Sequence, residues 1–427
     1  MLKWLLRFNH QKKQEGIMAL DIGTESIKAV LFIIENKLNP NGEVIGKRAI
    51  IKGVGKSTPS ASDIQSGFIN DIDSIINRSK KAIHEAAKMA KIKPNKMVFG
   101  IAGDFIKGRT SSVLHKRQDS DTKINLSELS NIIHKSEWKA FADDRKLLSE
   151  EVGFSEIDFK LVDSAIVGIT IDGYKVTNPL GFQGKEVEIK IFNSFSSTGQ
   201  YEAIQNIIDQ IGIEKTEVVS EPFAVSRGIH FGEKNTSLIY VDIGGGSTDV
   251  AIIKNNSILG SKMFAIGGRS ITKRIALELN VSLMEAEKIK IAFTDNKLES
   301  KSKKIIENIL KSDLELWLEG FTLTLSEFKE DKKLPSKILL AGGGANLPQI
   351  AEMLNKRKWY KKLPFQKQPA TSLSKPTDLQ NLIDETEQVK NHEDFTTLAL
   401  VSYGLELFSE ESIIQKTLKK VIGIMKV

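Results

Sequence analysis

The chain has 427 residues, 40% hydrophobic and 27% charged, ordinary values for a globular protein too long for one compact core, so two large domains are expected. It contains no cysteine, which excludes a disulfide framework and a thiolate metal site and fits a reducing, cytoplasmic setting. The net charge of +7 lies at the two ends, +3 in residues 1–16 and +4 in residues 413–427, and the formally neutral body between them is not that of a nucleic-acid-binding protein.

In chain order, residues 1–8 come first, a run broken by Lys3 and Arg7 and too short for a signal peptide. This run is either a short interfacial segment, to which Trp4 is suited, or a frayed terminus. No stretch of the chain reaches the roughly 18 uninterrupted apolar residues needed to span a bilayer. Residues 18–34 read as a β-hairpin turning at Asp21-Ile22-Gly23-Thr24. A helix is expected over 71–90, a buried strand over 97–101 ending at Ala102-Gly103, and a helix over 126–141. Next come a strand at 187–195, an amphipathic helix at 201–211, and a short strand at 217–219 before Glu221-Pro222.

Residues 238–253 repeat the first hairpin. At an offset of 221 residues (242 minus 21), Asp21, Ile22, Gly23 and Ser26 fall on Asp242, Ile243, Gly244 and Ser247. A repeat half a chain apart predicts two related domains facing each other across a cleft. Helices are expected at 270–279, 283–292 and 303–325, then a strand at 337–341 that delivers Gly342-Gly343-Gly344 to a helix at 348–355. The polar stretch 364–393, with Pro364, Pro369 and Pro376, reads as an extended loop. A last packed helix is expected at 395–408.

Beyond it, residues 413–427 separate cleanly on a helical wheel. Ile413, Ile414, Leu418, Val421, Ile422, Ile424 and Met425 share one half, and Lys416, Lys419, Lys420 and Lys426 lie on the other. That pattern describes an interfacial helix on an anionic membrane surface. The alternative is a helix packed on the protein's own body.

The chemistry concentrates in the hairpin turns. A tight turn of small residues after a buried strand gathers backbone N–H groups into a concavity suited to phosphate oxygens. Gly23 and Thr24 supply the first turn, and Gly244, Gly245, Gly246, Ser247 and Thr248 the second. An aspartate opening each turn, Asp21 and Asp242, suits Mg²⁺ held through water, and Lys28 would offset phosphate charge. The run Gly342-Gly343-Gly344 lets backbone approach a flat ring such as adenine. Ordinary strand-to-turn punctuation is the alternative for any one of these elements taken alone.

Residues 21–28, 242–249 and 340–346 resemble the phosphate 1, phosphate 2 and adenosine motifs of the actin, Hsp70 and sugar kinase superfamily. Within it the chain is similar to the FtsA family of bacterial cell-division proteins. That resemblance is carried by Gly67-Phe68-Ile69-Asn70-Asp71-Ile72-Asp73, Gly103-Asp104-Phe105-Ile106-Lys107-Gly108, Asn178-Pro179-Leu180-Gly181-Phe182-Gln183-Gly184, Glu285-Ala286-Glu287-Lys288-Ile289-Lys290 and Phe395-Thr396-Thr397-Leu398-Ala399. It covers about residues 17–408. Asp104, and the few residues between 408 and the basic end segment, depart from the family pattern.

The resemblance implies an α/β actin-like two-domain ATPase fold with ribonuclease H-like repeats and an inserted small α+β subdomain. Its divisions would be 17–96 with 185–236 (1A), 97–184 (1C), 237–273 with 335–408 (2A) and 274–334 (2B), flanked by a basic tail at 1–16 and a membrane-targeting end at 409–427. It implies ATP and Mg²⁺ as cofactors, Gly267, Gly268 and Asn346 as further contacts, and Glu287 and Lys290 near the ribose or adenine. The last pair is equally readable as an exposed i,i+3 salt bridge. Glu221 stands where related ATPases orient the attacking water, or it is a helix-start Glu-Pro pair favoured by the helix dipole. The implied function is a membrane-associated protein, at most a weak ATPase, that polymerises and tethers FtsZ through that protein's C-terminal tail at the septum. A PilM-like pilus scaffold and a sugar kinase are the rival readings.

Overall fold

The computed structural model describes residues 15–60, 62–65, 68–103, 106–153, 158–229, 235–328 and 333–409. The first half opens with an antiparallel meander, β1 (Gly16–Ile22), β2 (Ile27–Leu38) and β3 (Val44–Ser57). A short ribbon of β4 (Ile64–Gln65) and β5 (Phe68–Ile69) follows. Helix α1 (Ile72–Ala90) starts at Asp71, whose side chain accepts the Ser74 amide. β6 (Pro94–Ile101) then returns parallel to β1.

Here the chain leaves that sheet. β7 (Lys107–Lys116), β8 (Phe159–Ile171), β9 (Tyr174–Val176) and β10 (Glu186–Ser197) form an antiparallel layer. Helix α2 (Leu126–Val152) packs on it through Leu129, Ile132, Ile133 and Ala140. The chain rejoins the first sheet through α3 (Thr198–Ile211), β11 (Lys215–Ser220), which runs parallel to β6, and α4 (Glu221–Gly228).

The second half repeats the plan. β12 (Leu238–Ile243), β13 (Thr248–Lys254) and β14 (Ser257–Phe264) form the meander. After α5 (Gly268–Leu279), α6 (Leu283–Thr294) and α7 (Ser300–Ser326), β15 (Lys337–Ala341) returns parallel to β12. Then come α8 (Pro348–Lys356), β16 (Ala370–Leu373), β17 (Leu382–Asp384) and α9 (Phe395–Ser409). The sheets run β11-β6-β1-β2-β3-β17 and β16-β15-β12-β13-β14-β7-β10-β8-β9. Their first five strands therefore repeat one order, and Asp21 opposite Lys28 corresponds to Asp242 opposite Asp249.

β1 and β12 are buried and largely apolar up to the aspartate near the end of each, because both of their faces are covered. Ile17 and Ala19 of β1 and Leu238 and Tyr240 of β12 point into one shared core with α4 and α9, between the two sheets. Met18 and Leu20 face α1 and α3, and Ile239 and Val241 face α5 to α8.

Three expectations need correction. The stretch 364–393 is no plain loop: β16 pairs parallel with β15 and β17 parallel with β3, so this strap adds one edge strand to each sheet. Strands of four and three residues leave no periodic signal in a polar segment. Helix α2 runs eleven residues past 141, to Val152, where Gly153 ends it in the left-handed region. The expected boundaries at 97 and 185 also shift. Position 97 falls inside β6, which belongs to the first sheet, and β10 pairs with β7 and β8 outside that sheet. The segment that leaves the sheet thus runs from about 102 to 197. The tail residues at 1–14, and Ile413, Ile414, Lys416, Leu418, Lys419, Lys420, Val421, Ile422 and Met425, lie outside the described residues.

Candidate functional site

The parallel strands β1, β6, β12 and β15 all end at one cleft, the place where open α/β sheets gather ligand-binding groups. The two hairpin turns there are built alike. The Gly23 amide donates to the Ser26 carbonyl at 3.1 Å, and the Gly244 amide to the Ser247 carbonyl at 2.9 Å. The second turn is also held from behind, since the Gly268 and Arg269 amides donate to the Gly244 and Gly245 carbonyls at 2.9 and 2.8 Å. A Cβ at Gly267 would stand 2.7 Å from both of those carbonyl oxygens, which explains glycine there.

The aspartates that open the turns are tied to one helix start. Thr397 of α9 donates to Asp21 Oδ2 at 2.7 Å, and its neighbour Thr396 donates to Asp242 Oδ2. Tyr240 also reaches Asp242 Oδ2, at 3.1 Å. Two carboxylates from opposite halves are thereby fixed by adjacent hydroxyls. Burial pushes the Asp21 carboxyl above its ordinary value; Lys28 and the Thr397 hydroxyl oppose that rise, and the charges of Asp242 and Asp394 add to it. The Lys28 ammonium pairs with Asp394 at 3.4 Å and bonds the Glu393 carbonyl.

Glu221 is the first residue of α4, with Pro222 behind it. It is buried beside Gly100, the partner of Asp21 on β6, where a Cβ would approach Glu221 Oε1 to 2.9 Å. Its carboxyl is held well above the usual range, first by burial and then by the charges of Asp21, Asp242 and Asp249.

Opposite, Gly342 (φ +80) and Gly344 pack tightly on the end of β12. Added Cβ atoms would lie 2.2 Å from Asp242 Oδ1 and 2.3 Å from the Ile243 side chain. Gly343 has open space where its Cβ would stand, and it fronts the cavity. A short 3₁₀ turn at Gly343–Asn346, with Asn346 bonded to Glu393, precedes α8. From α6, Lys290 pairs with Glu287 at 2.8 Å and also reaches the Gly268 carbonyl and the Thr272 hydroxyl at 3.2 and 2.9 Å.

These groups enclose a cavity of about 420 Å³. Asp21, Gly23, Thr24, Lys28, Glu221, Asp242, Gly244, Gly245, Ser247, Gly268, Glu287, Lys290, Gly342, Gly343, Gly344 and Asn346 all line it. Thr248 does not join them. Fully buried on the far face of β13, it donates to the Ile266 carbonyl at 2.7 Å and accepts from the Trp317 indole at 3.0 Å. Gly246 and Gly267 are not among the lining residues: a Cβ on Gly246 would stand 3.0 Å from Thr24 Oγ1 of the opposite turn, and Gly267 backs the second turn.

Sequence reasoning missed the latch that joins the halves. Arg269 of α5 pairs with Glu25 at 2.6 Å and donates to the Thr24 carbonyl at 3.1 Å. It also missed Lys56, Asp249 and the Thr396–Thr397 pair. Asp249 accepts the Gly103 amide at 2.9 Å. Only the repeat offers a signal for any of these, because Asp249 sits at the position of Lys28. Among the described residues no group of three or more His, Cys, Asp or Glu is arranged to hold a metal ion. Two carboxylates alone suit a cation that keeps most of its water and takes phosphate oxygens. No helix among the described residues is long and apolar enough to cross a membrane.

The chain is similar to several known proteins. Residues 239–398 match the profile of the family described as cell division protein FtsA. The cell division protein FtsA of Neisseria meningitidis serogroup B is 25% identical over 284 residues, covering 66% of this chain and 62% of that protein. Its Bacillus subtilis counterpart is 25% identical over 281 residues, 57% of its own length. The match therefore spans less than two thirds of these two relatives. The Pseudomonas aeruginosa FtsA is 24% identical over 417 residues, covering 92% of this chain and 90% of that one. Among solved structures, a PilM–PilN type IV pilus biogenesis complex aligns with a TM-score of 0.61 at 16% identity, covering 91% of this chain and 98% of that one. That likeness concerns the fold, and it bears out the actin-like α/β architecture.

Proposed function

We propose that this chain, a relative of the FtsA cell-division proteins on the actin-like ATPase fold, binds Mg·ATP in its cleft and tethers FtsZ filaments to the cytoplasmic face of the membrane at the division septum. The observation that carries the nucleotide part is the pairing of Asp21 and Asp242 through Thr397 and Thr396 between two like turns. Mg²⁺ would be held by those two carboxylates through water, supplying charge neutralisation at the phosphates. The two turns cradle the phosphate oxygens, Gly343 leaves room for the base, and Lys290 with Glu287 borders the sugar. Glu221 accepts a proton from, and orients, the attacking water. A carboxyl held high by burial is a reluctant base until a bound cation lowers it, which suits weak turnover at most.

The FtsZ tail would dock on the part built from α5, α6 and α7. On those helices Arg274 is paired with Asp313 and Lys290 with Glu287, each at 2.8 Å, so these two cations are already neutralised within the fold. Exposed Leu277, Leu283 and Met284 on the same helices favour a peptide with apolar anchors. The membrane part rests on the amphipathic pattern of residues 413–427, and filament formation on the family resemblance.

The test is co-sedimentation with anionic liposomes, with and without Mg·ATP and FtsZ. The chain should pellet with the vesicles and carry FtsZ down with it. Failure to pellet would remove the membrane role, and pelleting without FtsZ would favour a PilM-like scaffold on the same fold.

A further inference from the structure

The β2–β3 hairpin reaches past the rest of its sheet. β1 pairs with β2 only as far as Phe32, and β17 pairs with β3 no nearer the tip than Ala49. Residues 33–38 of β2 therefore run past the end of β1, and the exposed part of that overhang is residues 36–38. At the tip, Leu38 lies opposite Val44, and Ile45 occupies the irregularity before the Lys37–Gly46 pair. These three side chains are 55%, 59% and 58% exposed.

Loose packing does not explain this exposure, because the tip is well built. The Asn39 side chain accepts the amides of Asn41 and Glu43 at 3.0 and 2.9 Å, and the Gly42 amide donates to the Asn39 carbonyl at 3.0 Å. Single exposed apolar residues are common, but three together on a projecting, ordered tip point to a partner.

Both ends of the described chain meet beside this hairpin. Lys47 donates to the Ser409 carbonyl at 2.8 Å, fixing the end of α9 against β3. The Phe408 ring lies 5.5 Å from the Lys96 ammonium, and Lys96 pairs with Glu15 at the start of β1. Residues 1–14 and 410–427 thus leave from neighbouring points at the foot of one sheet. Four residues span at most about 14 Å, which brings Ile413 within reach of the tip. The tip itself is about three residues, or roughly 10 Å, beyond Lys47. Both end segments combine lysine or arginine with large apolar side chains.

We infer that the tip of the β2–β3 hairpin, through Leu38, Val44 and Ile45, is a membrane-inserting element that enters the same lipid surface as the end segment 413–427. The inference rests on the membrane reading above and adds a contact from the folded body. Glu35 and Glu43 offset Lys37, Lys47 and Arg48 along the hairpin, so the tip contributes apolar burial while the end segments contribute charge. Contact of the tip with the surface that residues 413–427 are read to enter would also fix how the body is oriented on the membrane, which one point of attachment cannot do.

Because the chain lacks cysteine, Ile45→Cys in the full chain gives one labelling site for an environment-sensitive fluorophore. Vesicles of mixed phosphatidylglycerol and phosphatidylcholine should shift its emission to the blue, and a quencher within the acyl region should reduce it. A label at Tyr174→Cys, on exposed β9, should not respond. The triple variant Leu38→Ser, Val44→Ser, Ile45→Ser should melt like the parent and bind vesicles about tenfold more weakly or worse. A chain that pellets with vesicles while the label at 45 stays in a polar environment overturns the inference and leaves the membrane reading standing. Blue emission without vesicles also overturns it, because the tip is then covered by residues 410–427 or by a second copy. A parent chain that does not bind vesicles overturns both.

Discussion

Thr396 and Thr397 are neighbours on one helix, yet they hold carboxylates that begin the two halves of the cleft. Such long-range pairing is invisible in the sequence, where the Thr-Thr step looks like any helix start. Asp21, Asp242 and the glycines were legible because a repeated Asp-Ile-Gly after a buried strand needs no partner to be recognised. Thr248 was misjudged for a reason of period. It sits opposite Ile243 at the first position of β13, and the alternation of strand side chains turns it away from the cavity. Glu221 gives the sharpest test at this scale. Replacing it with Gln keeps the size and the helix start but removes the base. Nucleotide affinity should stay within about twofold while hydrolysis drops by a hundredfold or more, in line with general-base magnitudes. The residual hydrolysis should lose the parent's rise with pH, since a carboxyl held high must deprotonate to act. Equal turnover by parent and variant would leave Glu221 as a helix-start residue.

Helices and strands with strong apolar periodicity stand close to where the pattern put them: β15 matches, α1 starts one residue later, β6 and α3 each start three residues earlier, and α9 extends one residue past its expected end. Elements defined by what they pair with do not. The strap at 364–393 becomes structured because the open edges of β15 and β3 each accept a short strand, and nothing local in its polar sequence requires this. Helix α2 shows a further consequence of packing. Glu137 is buried against the strands, bonded to Ser164 through one oxygen, with the other lacking a partner. Burial raises its carboxyl to about 7, and Asp144 on the same helix is raised to about 6. A folded-state value above the unfolded one means both groups stabilise the fold fully below about 4.5 and 3.8, and the gain is lost as pH rises through about 7 and 6. Melting temperature should therefore fall between about pH 4 and 7, and Glu137→Gln should make that slope shallower. A slope unchanged in the variant would mean that Glu137 is ionised in the folded protein.

For the molecule as a whole, the repeat was the most informative feature of the sequence. It announced two like halves, and the structure delivers two five-strand units in one order with α4 and α9 between them. What the repeat could not announce is how the inserted layer attaches. β7 joins β14 through the pairs Arg109–Gly260 and Gly108–Ser261, so the insert extends the second sheet although its chain departs from the first. Charge is also organised at this scale, since the body is formally neutral and the ends are basic. Removing residues 413–427 takes four lysines and an apolar face without touching α9. The shortened chain should keep its melting temperature, while vesicle binding falls at least tenfold. For the parent, binding should weaken steeply as salt rises towards 0.5 M or so, as expected for lysine attraction to anionic lipid. Full retention of binding by the shortened chain would assign the anchor to residues 1–14 and the hairpin tip.

The central claim is that the two halves form one nucleotide site, and a titration with a fluorescent ATP analogue in Mg²⁺ tests it most directly. The parent should bind saturably, with displacement by unlabelled ATP and weakening on removal of Mg²⁺. Asp242→Ala should lose more than tenfold in affinity, over about 1.4 kcal/mol, while keeping its fold by circular dichroism. Saturable binding of equal strength in parent and variant, or none in the parent, would contradict the account.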